Sequence, residues 1–173
     1  YGIVFVNGKK MGVLDRRLKQ DSMLVQLPKG KVTIEILVEN LGRINFGPYL
    51  LDNKKGITNS VFFNNRELTP WEMYRVPLNS PSTFRYKQSS KVKNTPLFKK
   101  GTFHVSNPVD TYLDLREWGK GTVWVNGHNL GRYWNIGPQQ TIYLPAEWLN
   151  RGENEIVILE LINTRGTIVK TLD

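Results

Sequence analysis

The stretch Gly2-Ile-Val-Phe-Val-Asn-Gly-Lys-Lys-Met-Gly12 returns as Gly121-Thr-Val-Trp-Val-Asn-Gly-His-Asn-Leu-Gly131, and this repetition decides the fold. In each copy a run of β-branched and aromatic residues ends on Asn-Gly, the dipeptide that most readily takes positive φ at both centres of a type I′ turn. Each copy therefore predicts a β-hairpin. The echo continues downstream. Leu27-Pro28 precedes the apolar run 32–40, as Leu144-Pro145 precedes the run 154–161. A turn, a Leu-Pro and a final apolar strand recurring in one order describe two copies of one structural unit.

The final strands differ in character. Residues 31–39 alternate, with Val32, Ile34, Ile36 and Val38 on one side, as a half-buried strand does. Residues 156–159 are apolar throughout, which suits a strand covered on both faces. Between hairpin and final strand, 145–152 fits one helical turn ended by Gly152. No long amphipathic helix is visible. Glycine and proline are frequent and β-formers abound, so the expected fold class is all-β, a β-sandwich of jelly-roll type.

The two copies are expected as two domains: 1–66, and 67–173 with a basic loop near 81–100. The second copy has residues ahead of it that can supply strands at 68–77, 101–105 and 111–115, and it reads as complete. The first begins at Tyr1, already inside its hairpin, and reads as truncated. A sandwich without its opening strands leaves an unpaired edge, so the chain is expected to be cut from a longer polypeptide.

The formal charge of +9 is local. From Met73 to Val109 there is no acidic residue, yet seven lysines and arginines lie there. Taking those seven away leaves +2 for everything else. With Pro81, Ser89, Ser90, Asn94 and Pro96 in the same stretch, the charge reads as a solvated, mobile loop. No RNP, zinc-finger or helix-turn-helix pattern accompanies it, so no nucleic-acid partner is expected. No apolar run approaches the length of a membrane span. Cysteine is absent, which rules out a disulfide framework and a thiolate metal site.

The search for chemistry returns little. Glu35, Glu39 and Glu155 stand on strand patterns, where outward, solvated glutamates are the ordinary expectation. Asp110, Asp114 and Glu117 surround a strand and its turn. His104 and His128 lack partners at metal-ligand spacing. There is no Gly-x-Ser-x-Gly elbow, phosphate loop or dinucleotide fingerprint. No catalytic residue, metal site or cofactor is therefore assigned. One cluster is chemically rich: His128, Asn129, Arg132, Tyr133 and Trp134, near Trp118 and Trp124. Such aromatics read first as core, since burying a tryptophan removes about 150–250 Å² from water. They read second as a platform for a sugar ring, with the polar neighbours binding its hydroxyls.

Here the sequence becomes recognisable. The segment 119–134, followed by 137–145 and 155–161, resembles the last domain of family 35 glycoside hydrolases, the β-galactosidases. Val6-Asn7-Gly8, residues 12–15 and residues 37–47 are similar to the middle β-domain of the same family. The resemblance implies a galactose-binding-domain-like sandwich. It also implies a parent enzyme that releases terminal β-linked galactose with retention, its two glutamates on an amino-terminal (β/α)8 barrel. That barrel would be the partner of this chain, which would brace it without catalytic residues of its own. The alternative is a carbohydrate-binding module for galactose-containing glycans, using His128, Asn129, Arg132, Tyr133 and Trp134. The lack of an Asn-x-Ser/Thr acceptor and of cysteine favours a bacterial, periplasmic or extracellular setting.

Overall fold

The computed structural model describes residues 1–42, 44–88, 94–162 and 168–172. Among them there is no α-helix, only strands and three single turns of 3₁₀ helix. The chain divides into two compact units, Tyr1–Arg75 and Val76–Asp173.

The first unit is built on a three-stranded antiparallel sheet. Strands β1 (Gly2–Val6) and β2 (Lys9–Leu14) form the hairpin, and β3 (Ile34–Val38) lies on the other side of β1. Asn7 and Gly8 at the tip both take positive φ, 50° and 72°, as a type I′ turn demands. Ile3, Val4 and Val6 are buried. A two-residue ladder, β4 (Phe62–Phe63) and β5 (Arg66–Glu67), completes the regular structure of this unit. Asp15 is buried and caps the 3₁₀ turn Arg16–Leu18, receiving the backbone N–H and guanidinium of Arg17.

The second unit is a sandwich. Its larger sheet has the order β6-β11-β8-β9, with β6 (Leu97–Val105), β8 (Lys120–Val125), β9 (His128–Trp134) and β11 (Gly152–Glu160). Its smaller sheet has the order β10-β7-β12, with β7 (Thr111–Asp114), β10 (Thr141–Leu144) and β12 (Lys170–Leu172). Val123, Val125, Tyr133 and Ile158 from the first sheet meet Leu113, Ile142 and Leu144 from the second in one buried cluster. β11 is central, paired with β6 on one side and β8 on the other, which accounts for its unbroken apolar run.

The repeat is structural as well as textual. β8 and β9 form a hairpin with Asn126 and Gly127 at positive φ, and β11 joins β8 on its far side, as β3 joins β1. Even the irregularity is shared. Val4 pairs with Gly12 but Phe5 with Lys10, skipping Met11; Val123 pairs with Gly131 but Trp124 with Asn129, skipping Leu130. Each copy thus carries one β-bulge at the same place.

Four sequence expectations need correction. The division falls at Arg75/Val76 rather than after residue 66, because the β4–β5 ladder, extended by the Leu68 N–H to the Val61 carbonyl, ties the following segment to the first unit. The segment 68–77 supplies no strand. The basic stretch 81–100 is not one solvated loop. Pro81 is fully buried, Phe84 packs edge-on against Phe98, and Leu97–Lys100 belong to β6. Lys99 and Lys100 place their ammonium groups over the Trp118 and Tyr86 rings, and Lys100 also donates to the Ser82 carbonyl. Residues 89–93 of the stretch lie outside the described residues. Finally, the turn after Leu144 is a 3₁₀ turn, Ala146–Trp148, closed by Leu149 in extended conformation; Gly152, with φ of 105°, starts β11 instead of ending the turn.

Candidate functional site

The aromatic cluster sits on β9, whose alternation sends successive residues to opposite faces. Tyr133, 1% exposed, points into the sandwich core. Trp134 is half-buried, with the ammonium of its cross-strand neighbour Lys120 4.5 Å from its ring centroid. Arg132 is exposed. His128 is exposed and lies flat on Trp148, 4.6 Å between centroids and 9° between planes. Asn129 turns its side chain back on the strand, accepting the Gly131 N–H at 2.8 Å. The five residues proposed from sequence are therefore not gathered on one face. Tyr133 is out of reach of any ligand unless the sandwich opens, and Trp134 is not among the fully buried core tryptophans, Trp118 and Trp124.

The core side of β9 carries a feature that the sequence did not disclose. Glu160, at the end of β11, is 0% exposed. Its Oε2 accepts the Gly119 N–H at 2.8 Å and its Oε1 accepts those of Lys120 at 3.1 Å and Ile162 at 2.8 Å. The Tyr133 hydroxyl lies 3.1 Å from the same Oε2 and 3.0 Å from the Leu159 carbonyl oxygen. Burial, reinforced by the neighbouring carboxylate, pushes the Tyr133 phenol far above its ordinary value, so it remains a proton donor at all working pH. A carboxylate with this many donors in a closed site is committed to holding strand ends together and not to proton transfer with a substrate. Its partners are mostly backbone N–H groups, which leave no residue signature. The one sequence signal was a lone acid closing a run of apolar residues.

The hairpin tip is held just as tightly. Asn126 donates from Nδ2 to the Trp148 carbonyl at 2.8 Å and to Asn154 Oδ1 at 2.7 Å, and its Oδ1 accepts the Glu155 N–H at 2.9 Å. Asn154, buried, bonds in turn to the backbone of Asn150 and Gly152. This network fixes Trp148, and with it the His128 stack, beside β9.

A groove of about 330 Å³ opens between β9 and β10. Leu130, Ile142, Pro145 and Trp148 line it with apolar surface. Arg132, Gln139, Thr141 and Tyr143 supply polar atoms. Tyr143, 46% exposed, packs against Tyr112 with ring centroids 5.5 Å apart. Its hydroxyl donates to Asp110, a bond that raises the phenol's pKa. The backbone N–H of Ala146, 2.8 Å away, and this hydroxyl hold the Asp110 carboxyl below its usual range. Among the described residues no three His, Asp or Glu side chains gather as a metal-binding group.

Two β modules with one hairpin grammar, the second closed into a sandwich, define an all-β class of domain. The comparisons with known proteins give the family. Residues 1–77 match the model described as the first all-beta domain of beta-galactosidase, and residues 96–154 match its galactose-binding domain. A beta-galactosidase of Xanthomonas manihotis is 43% identical over 82% of this chain, which corresponds to 23% of that protein. Beta-galactosidase-1-like protein 2 of Homo sapiens is 40% identical over 92% of the chain and 26% of its own length. Beta-galactosidase 1 of Dictyostelium discoideum is 39% identical over 79% of the chain and 22% of its own length. The chain belongs to the β-galactosidase family and spans about a quarter of the length of these relatives. Bacterial, amoebal and human relatives stand at similar identity, so a bacterial origin does not follow from the match.

Proposed function

We propose that this chain is the non-catalytic β-sandwich region of a longer β-galactosidase polypeptide, where it braces a catalytic (β/α)8 barrel that releases terminal β-linked galactose. The observation that carries this reading is coverage. Two accessory-domain matches account for most of the chain, and the chain accounts for only about a quarter of each relative. The character of the interior supports it too. The deeply buried acid, Glu160, is spent on backbone donors, so binding energy here goes into rigidity. The absence of cysteine and of an Asn-x-Ser/Thr acceptor supports an exported bacterial setting for that polypeptide.

Two measurements test the proposal. The isolated chain leaves a chromogenic β-galactoside at its uncatalysed rate of hydrolysis. In the longer polypeptide, a substitution that unfolds the second unit, such as Gly121→Ala, lowers the temperature at which activity is lost while KM stays unchanged. An unmoved inactivation temperature would show that the sandwich does not brace the barrel.

A further inference from the structure

We propose that the outer edge of β3 is an acceptor site for an antiparallel β-strand, and that its occupant is a stretch of the longer polypeptide lying shortly ahead of Tyr1. This rests on the reading of the chain as part of such a polypeptide, and it adds the edge, the direction and the register of the contact.

The second unit shows what belongs at that edge. β3 and β11 hold the same place beside their hairpins, since Gly2 pairs with Val38 as Gly121 pairs with Glu160. β11 is lined along its far side by β6, antiparallel, with Ile156, Ile158 and Glu160 opposite Gly101, Lys99 and Leu97. β3 ends its sheet, and among the described residues no strand lies beyond it. Asn7 donates its N–H to the Thr33 carbonyl and Glu39 donates its own to the Tyr1 carbonyl, so bonding to β1 falls on alternate residues, Glu35 and Leu37 among them. The backbone groups of Ile34, Ile36 and Val38 therefore face outward.

The edge lacks the features that keep a strand edge solitary. Such edges are commonly guarded by lysine, proline or a bulge. β2, the opposite edge strand, carries Lys9, Lys10 and the bulge at Met11, whereas β3 has no lysine, no proline and an unbroken register. The burial of β3 is that of an interrupted core. Val38 is 38% exposed where Glu160 is 0% exposed, and Ile36 is half-buried where Ile158 is buried.

A second segment lacks its partner in the same way. Leu27-Pro28 corresponds to Leu144-Pro145, which sets residues 24–27 against β10. Val25 and Leu27 are half-buried and Leu24 and Gln26 exposed, in phase with β10, yet among the described residues no ladder forms there. In the second unit β10 pairs with β7. The two missing strands are thus the counterparts of β6 and β7, which both precede the hairpin in chain order, so one segment supplies both. Lys99 stands twenty-two residues before Gly121, the counterpart of Gly2, which centres the strand opposite β3 about twenty residues ahead of Tyr1.

The test is amide hydrogen exchange on the 173-residue chain and on the longer polypeptide. In the chain, Ile34, Ile36 and Val38 should exchange fast beside protected Glu35 and Leu37. In the longer polypeptide the same three amides should slow by about a hundredfold or more. Ile156 and Ile158, already paired with β6, should be slow in both. With Ile36 replaced by the photo-reactive p-benzoylphenylalanine, the longer polypeptide should cross-link to the stretch about twenty residues ahead of Tyr1. The strand site is overturned if the three amides are equally fast in both proteins, or if the cross-link lands elsewhere. It is also overturned if their protection in the 173-residue chain rises with its own concentration, which would make a second copy the occupant. Hydrolysis of a β-galactoside, followed in the same samples, separates the two readings. A polypeptide whose inactivation temperature falls with Gly121→Ala while the three amides stay fast sinks the strand site alone; slow amides with an unmoved inactivation temperature sink the bracing role alone.

Discussion

The hairpin modules of the two units share turn, bulge and strand order, yet they are buried to very different depths. In the second unit every residue of Lys120–Val125 is buried. In the first, Gly2 and Phe5 of the matching strand are only half-buried. The positions that close the module also diverge. Where the second unit has Tyr133 and the buried Glu160, the first has the half-buried Leu14 and the exposed Val38. Local grammar fixes the module. What covers it decides whether polar side chains can be drawn into its frame.

The largest test of that contrast lies in two equivalent glycines. A Cβ on Gly121 would run into the Leu159 backbone carbonyl, whereas one on Gly2 meets only Ile36 Cγ2 at 3.7 Å and Leu14 Cβ at 3.9 Å. Gly121→Ala should cost upwards of about 4 kcal/mol, because the obstacle is backbone in a packed sheet. Gly2→Ala should be neutral or stabilise by up to about 1 kcal/mol through the unfolded chain. Four of the five tryptophans lie in the second unit, so denaturation followed by fluorescence reads that unit, and amide exchange reads the first. Equal costs at the two glycines would break the contrast.

Next in size is Glu160→Ala, which leaves the buried N–H groups of Gly119 and Lys120 and the part-buried N–H of Ile162 short of an acceptor, while the Tyr133 hydroxyl keeps the Leu159 carbonyl; a loss of about 3–5 kcal/mol is expected. At the counterpart, Val38→Ala should change amide protection by under about 1 kcal/mol, as an exposed position does. A smaller difference separates the tip asparagines. Asn7 accepts the Thr33 N–H through Oδ1, but Asn126 adds bonds to Trp148 and Asn154. Asn126→Gly, which preserves the turn, should cost about 2–3 kcal/mol and Asn7→Gly about 1 kcal/mol, judged by chemical denaturation and by exchange respectively.

The smallest expected effect is one of pH. Each unit has an Asp whose carboxylate is clasped by the Arg two residues on, Asp15 by Arg17 and Asp114 by Arg116. Burial pushes the Asp15 carboxyl up, but the Arg17 bonds outweigh it and the net direction is down. The Arg116 side-chain bond holds Asp114 at about 2. A carboxyl whose folded pKa lies below its unfolded value near 3.8 stabilises the fold above about pH 4, and that support fades as pH falls toward 2. Arg116→Ala should therefore move the acid-unfolding midpoint up by about half a pH unit or less, the pair being solvent-screened. An unchanged midpoint would mean that the clasp adds nothing.

The sequence disclosed most where backbone demands select residues. Asn-Gly at both tips, the alternation of β3 and the unbroken apolar run of β11 each answer to φ or to burial, and each is where the pattern put it. It misled where side chains have two natures. Lys99 and Lys100 count as solvated charge in a sequence, but their ammonium groups lie over the Trp118 and Tyr86 rings. Pro81 looks like a loop breaker and is instead fully buried at the start of a 3₁₀ turn. Of the five candidate site residues, Arg132 lines the groove and His128 stacks on Trp148, another lining residue. Gln139, Thr141, Tyr143 and Trp148 complete the groove from another strand and a turn, beyond the reach of a contiguous motif.

The shared bulge has a consequence for how the chain finds its register. In a regular antiparallel ladder, a hairpin can misalign and still satisfy most of its bonds, so slipped pairings compete during folding. With Met11 or Leu130 set aside as an unpaired residue, the ladder has a notch that fits at one offset, and the tip and the base of the hairpin are in phase only there. The extra residue acts as a key in a lock. Were Leu130 instead paired opposite Val123 as an ordinary ladder residue, Tyr133 would move from Gly121 to Lys120 and the surfaces of Tyr133 and Arg132 would be exchanged in one step.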